Sequence, residues 1–172
     1  MAIWKNNSGM EDFINLCIFT DKQLSKVIGR SIHPGAKIMA NAIKQSINGI
    51  QVDDSKGSHH YKDKDGNTHN RFRTGPTSEQ KKALIESFGI ATIKRTRYGW
   101  NVKAGWDGYN GIYTKKYPKG QPNAMIARAV NVGTTFMRPQ PFLDRAVKGA
   151  EAATLQAIAD QFDIELDKIW NK

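Results

Sequence analysis

The densest run of residues able to do chemistry spans Ser58 to Asn70. It holds three of the chain's four histidines with two aspartates and two asparagines. Asp63, Asp65 and Asn67 match the first three ligand positions of an EF-hand calcium loop. The match then fails: Thr68 stands at the sixth position, where glycine is required, and Thr74 at the twelfth, where a bidentate glutamate is required. A metal-dependent nuclease of the histidine–asparagine–histidine kind needs a general-base histidine, an asparagine to position it and further ligands returned by a following helix. His59, His60, His69 and Asn70 are the right types, yet Arg71 to Pro76 offers no returning ligand. The plainer reading is a solvated loop, in which histidine, aspartate and asparagine tolerate turns. No catalytic residue, metal or cofactor is expected.

A second concentration is basic. Lys94, Arg95, Arg97, Lys103, Lys115, Lys116 and Lys119 face only Asp107, with Tyr98, Trp100, Trp106, Tyr109, Tyr113 and Tyr117 between them. Aromatics in a basic groove suit base stacking. The alternative is a hairpin with one solvated basic face and aromatics filling the core. Other chemistry is absent from the pattern: there is no phosphate-binding P-loop and no dinucleotide glycine fingerprint, and Ser87 has no base at motif spacing. Cys17 sits among Leu16, Ile18 and Phe19 and reads as a small buried hydrophobe.

The elements that must position these residues follow from periodicity. Leu24, Val27, Ile28, Ile32, Ala36, Met39, Ile43 and Ile47 recur at steps of three and four, predicting helix from about residue 10 to 50. Thr20 or Asp21 is placed to cap it after a short first helix, Pro34 predicts a kink or break near Ile32, and Gly49 suits its end. Residues 51–76 are almost free of aliphatics and form a long polar excursion, mobile or folded as an extended hairpin about Asp65-Gly66. Ser78 to Ser87 reads as a short helix capped by Thr77 or Ser78. Residues 90–96 and 100–106 read as a β-hairpin, because Trp100, Val102, Ala104 and Trp106 alternate with Asn101, Lys103, Gly105 and Asp107. A loop over 107–122 leads to a short helix, Asn123 to Val132, then an irregular crossing. A long helix from about Pro141 to Trp170 ends the chain, with Leu143, Val147, Ala150, Leu155, Ile158, Phe162, Leu166 and Ile169 as its stripe. We expect it to pack across the sheet against Trp100, Val102 and Trp106.

The expected fold is α+β: a small hairpin-based antiparallel sheet, long N- and C-terminal helices packed on one face, and the polar excursion. At 172 residues, with 39% hydrophobic and 24% charged residues, the chain suits one domain spanning 1–172. The formal charge of +10 permits contact with nucleic acid or an acidic protein surface without choosing between them. The start, from Met1 to Asn7, lacks the apolar run of a signal peptide, and no stretch approaches the roughly 18 apolar residues of a membrane span. A cytoplasmic origin is therefore expected, with no membrane partner.

One stretch, Val130 to Val147, resembles a signature of the phage morphogenesis family that holds head–tail joining and tail-completion proteins of long-tailed bacteriophages. The resemblance rests on Gly133-Thr134 after a short helix, then Pro141-Phe142-Leu143 and Ala146 opening a final helix. Upstream, Thr74-Gly75, Leu84 and Ser87-Phe88 look like the family's lead-in to its first strand, and Ala36, Ala40, Ala42 and Lys44 fit its N-terminal helix. Asn131 stands where the family usually has an acidic residue, and the excursion looks longer than usual. The resemblance implies a non-enzymatic virion subunit, assembled in the host cytoplasm. It implies a ring at the neck, often sixfold, that meets the head–tail connector or stopper and the tail terminator or tail tube, near packaged DNA. Gly133, Thr134, Pro141, Phe142, Leu143 and Ala146 then become structural or interface positions, and the seven basic residues a surface for interaction. The alternative is a DNA-binding or nuclease-like phage protein using the histidine-rich loop and basic hairpin.

Overall fold

Helix α1 (Gly9–Asn48) runs unbroken for 40 residues, about 60 Å. The computed structural model describes residues 9–55, 60–62, 64–70, 72–97 and 99–170, and only the backbone at 9–22, 60–62, 69–70 and 170. The side chain of Cys17 and any cap at Thr20 or Asp21 fall outside it, although the helix passes through both capping positions. The break expected near Ile32 does not occur: Pro34 lies inside the helix. Proline in a helix interior costs about 3 kcal/mol or more, so tertiary packing must hold the helix together here. Gly35 shows how. A Cβ on it would stand 2.5 Å from Ile158 Cγ1 and 2.9 Å from the Thr154 carbonyl oxygen. The final helix, α4 (Phe142–Trp170), therefore lies directly on α1 at the residue after the proline.

Three contacts give the direction of this pair. Arg30 bonds Glu165 at 3.1 Å, Gly35 meets Ile158, and the Ser46 hydroxyl donates to the Phe142 carbonyl at 2.7 Å. The helices are antiparallel, and small residues at Gly35, Ala40, Ala146 and Ala150 let them approach closely. The stripe expected on α4 holds in part. Ala150 is buried and Leu143, Ile158, Phe162 and Leu166 are half-buried, whereas Val147, Leu155 and Ile169 are exposed, and Phe142 and Ala146, outside the stripe, are buried.

The remaining elements close one end of this pair. The order is α1, β1 (His60–Lys62), β2 (Thr68–Asn70), α2 (Ser78–Ser87), β3 (Phe88–Ile90), β4 (Lys94–Thr96), β5 (Gly99–Asn101), β6 (Ala104–Trp106), α3 (Asn123–Val132) and α4. The fold is α+β, with three two-stranded antiparallel pairings, β1–β2, β3–β6 and β4–β5. The last two are one hairpin. Phe88 pairs with Trp106 and Ile90 with Ala104, and the Ala91 amide bonds the Lys103 carbonyl; beyond that point Lys94 pairs with Asn101. Two residues, 92 and 93, thus oppose one, 102, the arrangement of a β-bulge. Strand 104–106 presents Trp106 to Phe88 and to Phe142, whose ring lies 6.0 Å away edge-on. Trp100 covers Gly29 of α1 instead of α4. The core collects Ile43, Ile47, Leu84, Phe88, Ile126, Val130 and Phe142.

Helix α2 begins with a capping box, Thr77 bonding the Gln80 amide and the Gln80 side chain bonding the Thr77 amide. The Lys81 ammonium bonds the carbonyls of Asn48 and Ile50, satisfying the C-terminal end of α1.

Candidate functional site

The polar excursion is the extended hairpin, with β1 pairing β2 from His60↔Asn70 to Lys62↔Thr68. Its connection is five residues, 63–67, with Gly66 at φ +84, so Asp65-Gly66 lies inside a wider turn than the two-residue one expected. Its base is tied down. The Asp53 carboxylate accepts from the Ser55 amide and hydroxyl and from the Thr74 amide, and the Asp53 amide bonds the Pro76 carbonyl. Asp54 accepts from the Ser78 amide at 2.7 Å and from the Ser78 hydroxyl, at the N-terminus of α2. These donors, the Ser55 hydroxyl foremost for Asp53 and the Ser78 hydroxyl for Asp54, hold the Asp53 carboxyl well below the usual carboxylate range and lower that of Asp54.

Beside this base lies a node that joins residues far apart in sequence. Gln140 accepts from the Gln51 amide at 2.8 Å, and its side-chain nitrogen donates to the carbonyls of Gln51 at 2.9 Å and Thr74 at 2.7 Å. Gly75 is boxed in: a Cβ there would collide with the Gln51 carbonyl and stand 2.6 Å from Gln140 Nε2. Residues 136–138 run beside Arg73, whose amide bonds the Phe136 carbonyl and whose carbonyl accepts from the Arg138 amide. Gly133 ends α3 at φ +82, and a Cβ there would lie 2.9 Å from the Pro139 nitrogen. The Thr134 amide bonds the Met137 carbonyl, closing the turn. Asn131, the departure from the family pattern, accepts from the Leu143 amide at 2.9 Å and donates to Asp144 at 3.0 Å, so it caps α4. Phe142 is 2% exposed, Ala146 is buried and Leu143 half-buried, while Thr134 and Pro141 are exposed.

The structure thus brings Thr74-Gly75 and the 133–146 stretch into one bonded unit. The seven basic residues divide between two elements. Lys94, Arg95, Arg97 and Lys103 are exposed on the hairpin, and Lys115, Lys116 and Lys119 are exposed on the 107–122 loop. That loop is held by Asn110, buried at 5%, whose side-chain oxygen accepts from the Ile112 and Gln121 amides. Lys116 stands 5.6 Å from the centre of the Tyr117 ring. Tyr98, His59, Asp63 and Arg71 lie outside the described residues, as do the side chains of His60, His69 and Asn70. Among the described residues no group of three or more histidine, cysteine, aspartate or glutamate side chains is placed to hold a metal ion. No described helix is long and apolar enough to cross a membrane.

The chain matches no family model, no curated protein and no solved structure.

Sequence reasoning missed Gln140, Gln51, Asp53, Asp54 and Asn110. Their partners lie up to 89 residues away, and a polar side chain that locks one loop to another leaves no periodic trace. Only Gly75, in a Thr-Gly-Pro turn, gave a local sign.

Proposed function

We propose that this chain is a structural subunit of a tailed bacteriophage, a tail-completion or head–tail joining protein that acts as a ring at the neck. The observation that supports it best is the Gln140 node. Two motifs that resemble the phage morphogenesis family, separated by about sixty residues of chain, are bonded through one side chain and close round one glycine. Such a unit ties down the base of the polar excursion while the α1–α4 pair forms the body of the subunit. An adaptor between two larger assemblies needs that division: a stiff body and a reaching arm. The proposed partners are further copies of the chain, the head connector or stopper, and the tail terminator or tube, in the virion neck after assembly in the host cytoplasm. The test is electron microscopy of phage lacking the protein, with separate filled heads and finished tails as the expected result.

A DNA-binding or nuclease-like protein is the second reading, favoured by the exposed lysines of the hairpin and loop. Incubating the purified protein with plasmid DNA and zinc, magnesium or calcium separates the two. Metal-dependent cleavage that is lost on changing His59, His60 and His69 to alanine would replace the structural proposal.

A further inference from the structure

Charge is segregated in this subunit, and the segregation specifies how copies meet. Residues 88–106 carry Lys94, Arg95, Arg97 and Lys103 with Asp107 the next carboxylate, beside Lys103, whereas residues 160–167 of α4 carry Asp160, Asp163, Glu165 and Asp167 with Lys168, bonded to Glu165, the next cation. Both segments lie against α1 at one height, because Trp100 covers Gly29 and Glu165 bonds Arg30. They lie on different sides of it. Gly29, under Trp100, and Gly35, under Ile158, are six residues apart, so they face directions about 120° apart around the helix axis. The outer surfaces of the hairpin and of α4 therefore diverge, and those of one copy do not meet each other.

The pairing register says what each outer surface carries. Arg95 pairs with Trp100 and shares its face toward α1, so Lys94, paired with Asn101, stands on the opposite face. Lys103, two residues from Asn101, joins it there, and both lysines are exposed. Nothing bulky flanks them, since Gly89 and Gly105 pair across the same ribbon with open space where a Cβ would be. On α4, Glu165 is turned inward to Arg30 and Lys168, whereas Asp160, Asp163 and Asp167 are exposed, flanked by Leu155 at 61% and Ile164 at 50% exposure. Asp163 and Asp167 are about 6 Å apart along the helix. Lys94 and Lys103 share one face of the ribbon from opposite strands. The two pairs oppose in sign.

We propose that the aspartate face of α4 in one copy docks on the lysine face of the hairpin in the next, a head-to-tail contact between copies of this chain. Its place in a neck ring rests on the proposed function; the contact itself does not. Each copy offers one face of each sign in diverging directions, so the contact is heterologous, the kind that forms a ring where the rotation between copies closes and a filament where it does not. A second copy fits better than DNA, because a polyanion uses the lysines and leaves the acidic, partly apolar face of α4 uncovered.

The test is light scattering behind size exclusion on full-length protein, at about 50 mM and about 500 mM salt, where screening differs several-fold in range. Wild type should associate at low salt and weaken at high salt. Asp163→Lys with Asp167→Lys should weaken association about tenfold or more, and so should Lys94→Glu with Lys103→Glu. Melting curves unchanged from wild type show that both variants fold. Mixing the two variants should restore association, because each reversed face then meets a complementary one. A wild type that stays monomeric at both salts, or reversals without effect, or a mixture no better than its parts, overturns the proposal. So does DNA binding by a monomeric wild type that the lysine reversal abolishes, which would make the ribbon a nucleic-acid surface. None of these outcomes bears on whether phage lacking the protein make unjoined heads and tails, so the two proposals fail separately.

Discussion

Replacing Gly75 with alanine strikes the node where the structure concentrates its constraints. The new methyl group would collide with the Gln51 carbonyl, which is backbone and cannot rotate away, and would stand 2.6 Å from Gln140 Nε2. Overpacking of this kind costs about 1–3 kcal/mol. Moving Gln140 aside also loosens three hydrogen bonds of 2.7–2.9 Å, each worth about 0.5–1 kcal/mol net at an exposed site. Against these, alanine lowers the entropy of the unfolded chain, a gain of about 0.4–1 kcal/mol. The net loss is about 1.5–5.5 kcal/mol, which for a chain of this size lowers the melting midpoint by about 3–20 °C. Scanning calorimetry on Gly75→Ala and on Gln140→Ala measures it. Gln140→Ala should cost less, because it loses the bonds without the backbone collision, and adding it to Gly75→Ala should not restore the midpoint. A Gly75→Ala midpoint within about 2 °C of wild type would show that residue 51 does not lie against residue 75, and the node would be wrong.

Phe142→Ala removes a ring that is 2% exposed and packed on Trp106. It should cost about 3–5 kcal/mol in thermal or urea unfolding. Gly35→Val places branched carbons against Ile158 and the Thr154 carbonyl; it should lower the melting midpoint despite the better helix propensity of valine, and an unchanged or raised midpoint would refute the close helix contact. Asp53 and Asp54 have folded-state pKa values below the ordinary value of 3.8. They contribute stability that is present above that value and lost as pH falls below it toward the folded-state pKa values. Melting curves in the acid range should therefore fall less steeply for Asp53→Asn with Asp54→Asn than for wild type.

Local signals were the legible ones. Ser78–Ser87 and Asn123–Val132 form with the expected bounds because their ends are set nearby, by the Thr77 cap and by Gly133 at positive φ. The hairpin was visible in the alternation about Trp100 and Trp106, but the extra residue at 92–93 was not, since a bulge leaves the composition of both strands unchanged. Pro34 misled for a physical reason: it signals a break from local energetics, while the packing of α4 at Gly35 keeps the helix whole. The departures on α4 have the same origin. Ala146, which the stripe left out, is buried with Ala150 where close approach matters more than side-chain size, and larger Val147 and Leu155 turn outward. The motif positions were legible as sequence, but the side chain that bonds them, Gln140, was not.

The most direct test of the proposed role is negative-stain microscopy of lysates from phage deleted for this gene, with the protein supplied back in a parallel culture. Filled heads and complete tails lying separate, and joined particles on adding the protein, are the predicted result. Intact virions without it, or an absence of filled heads or of tails, would contradict a role in joining them.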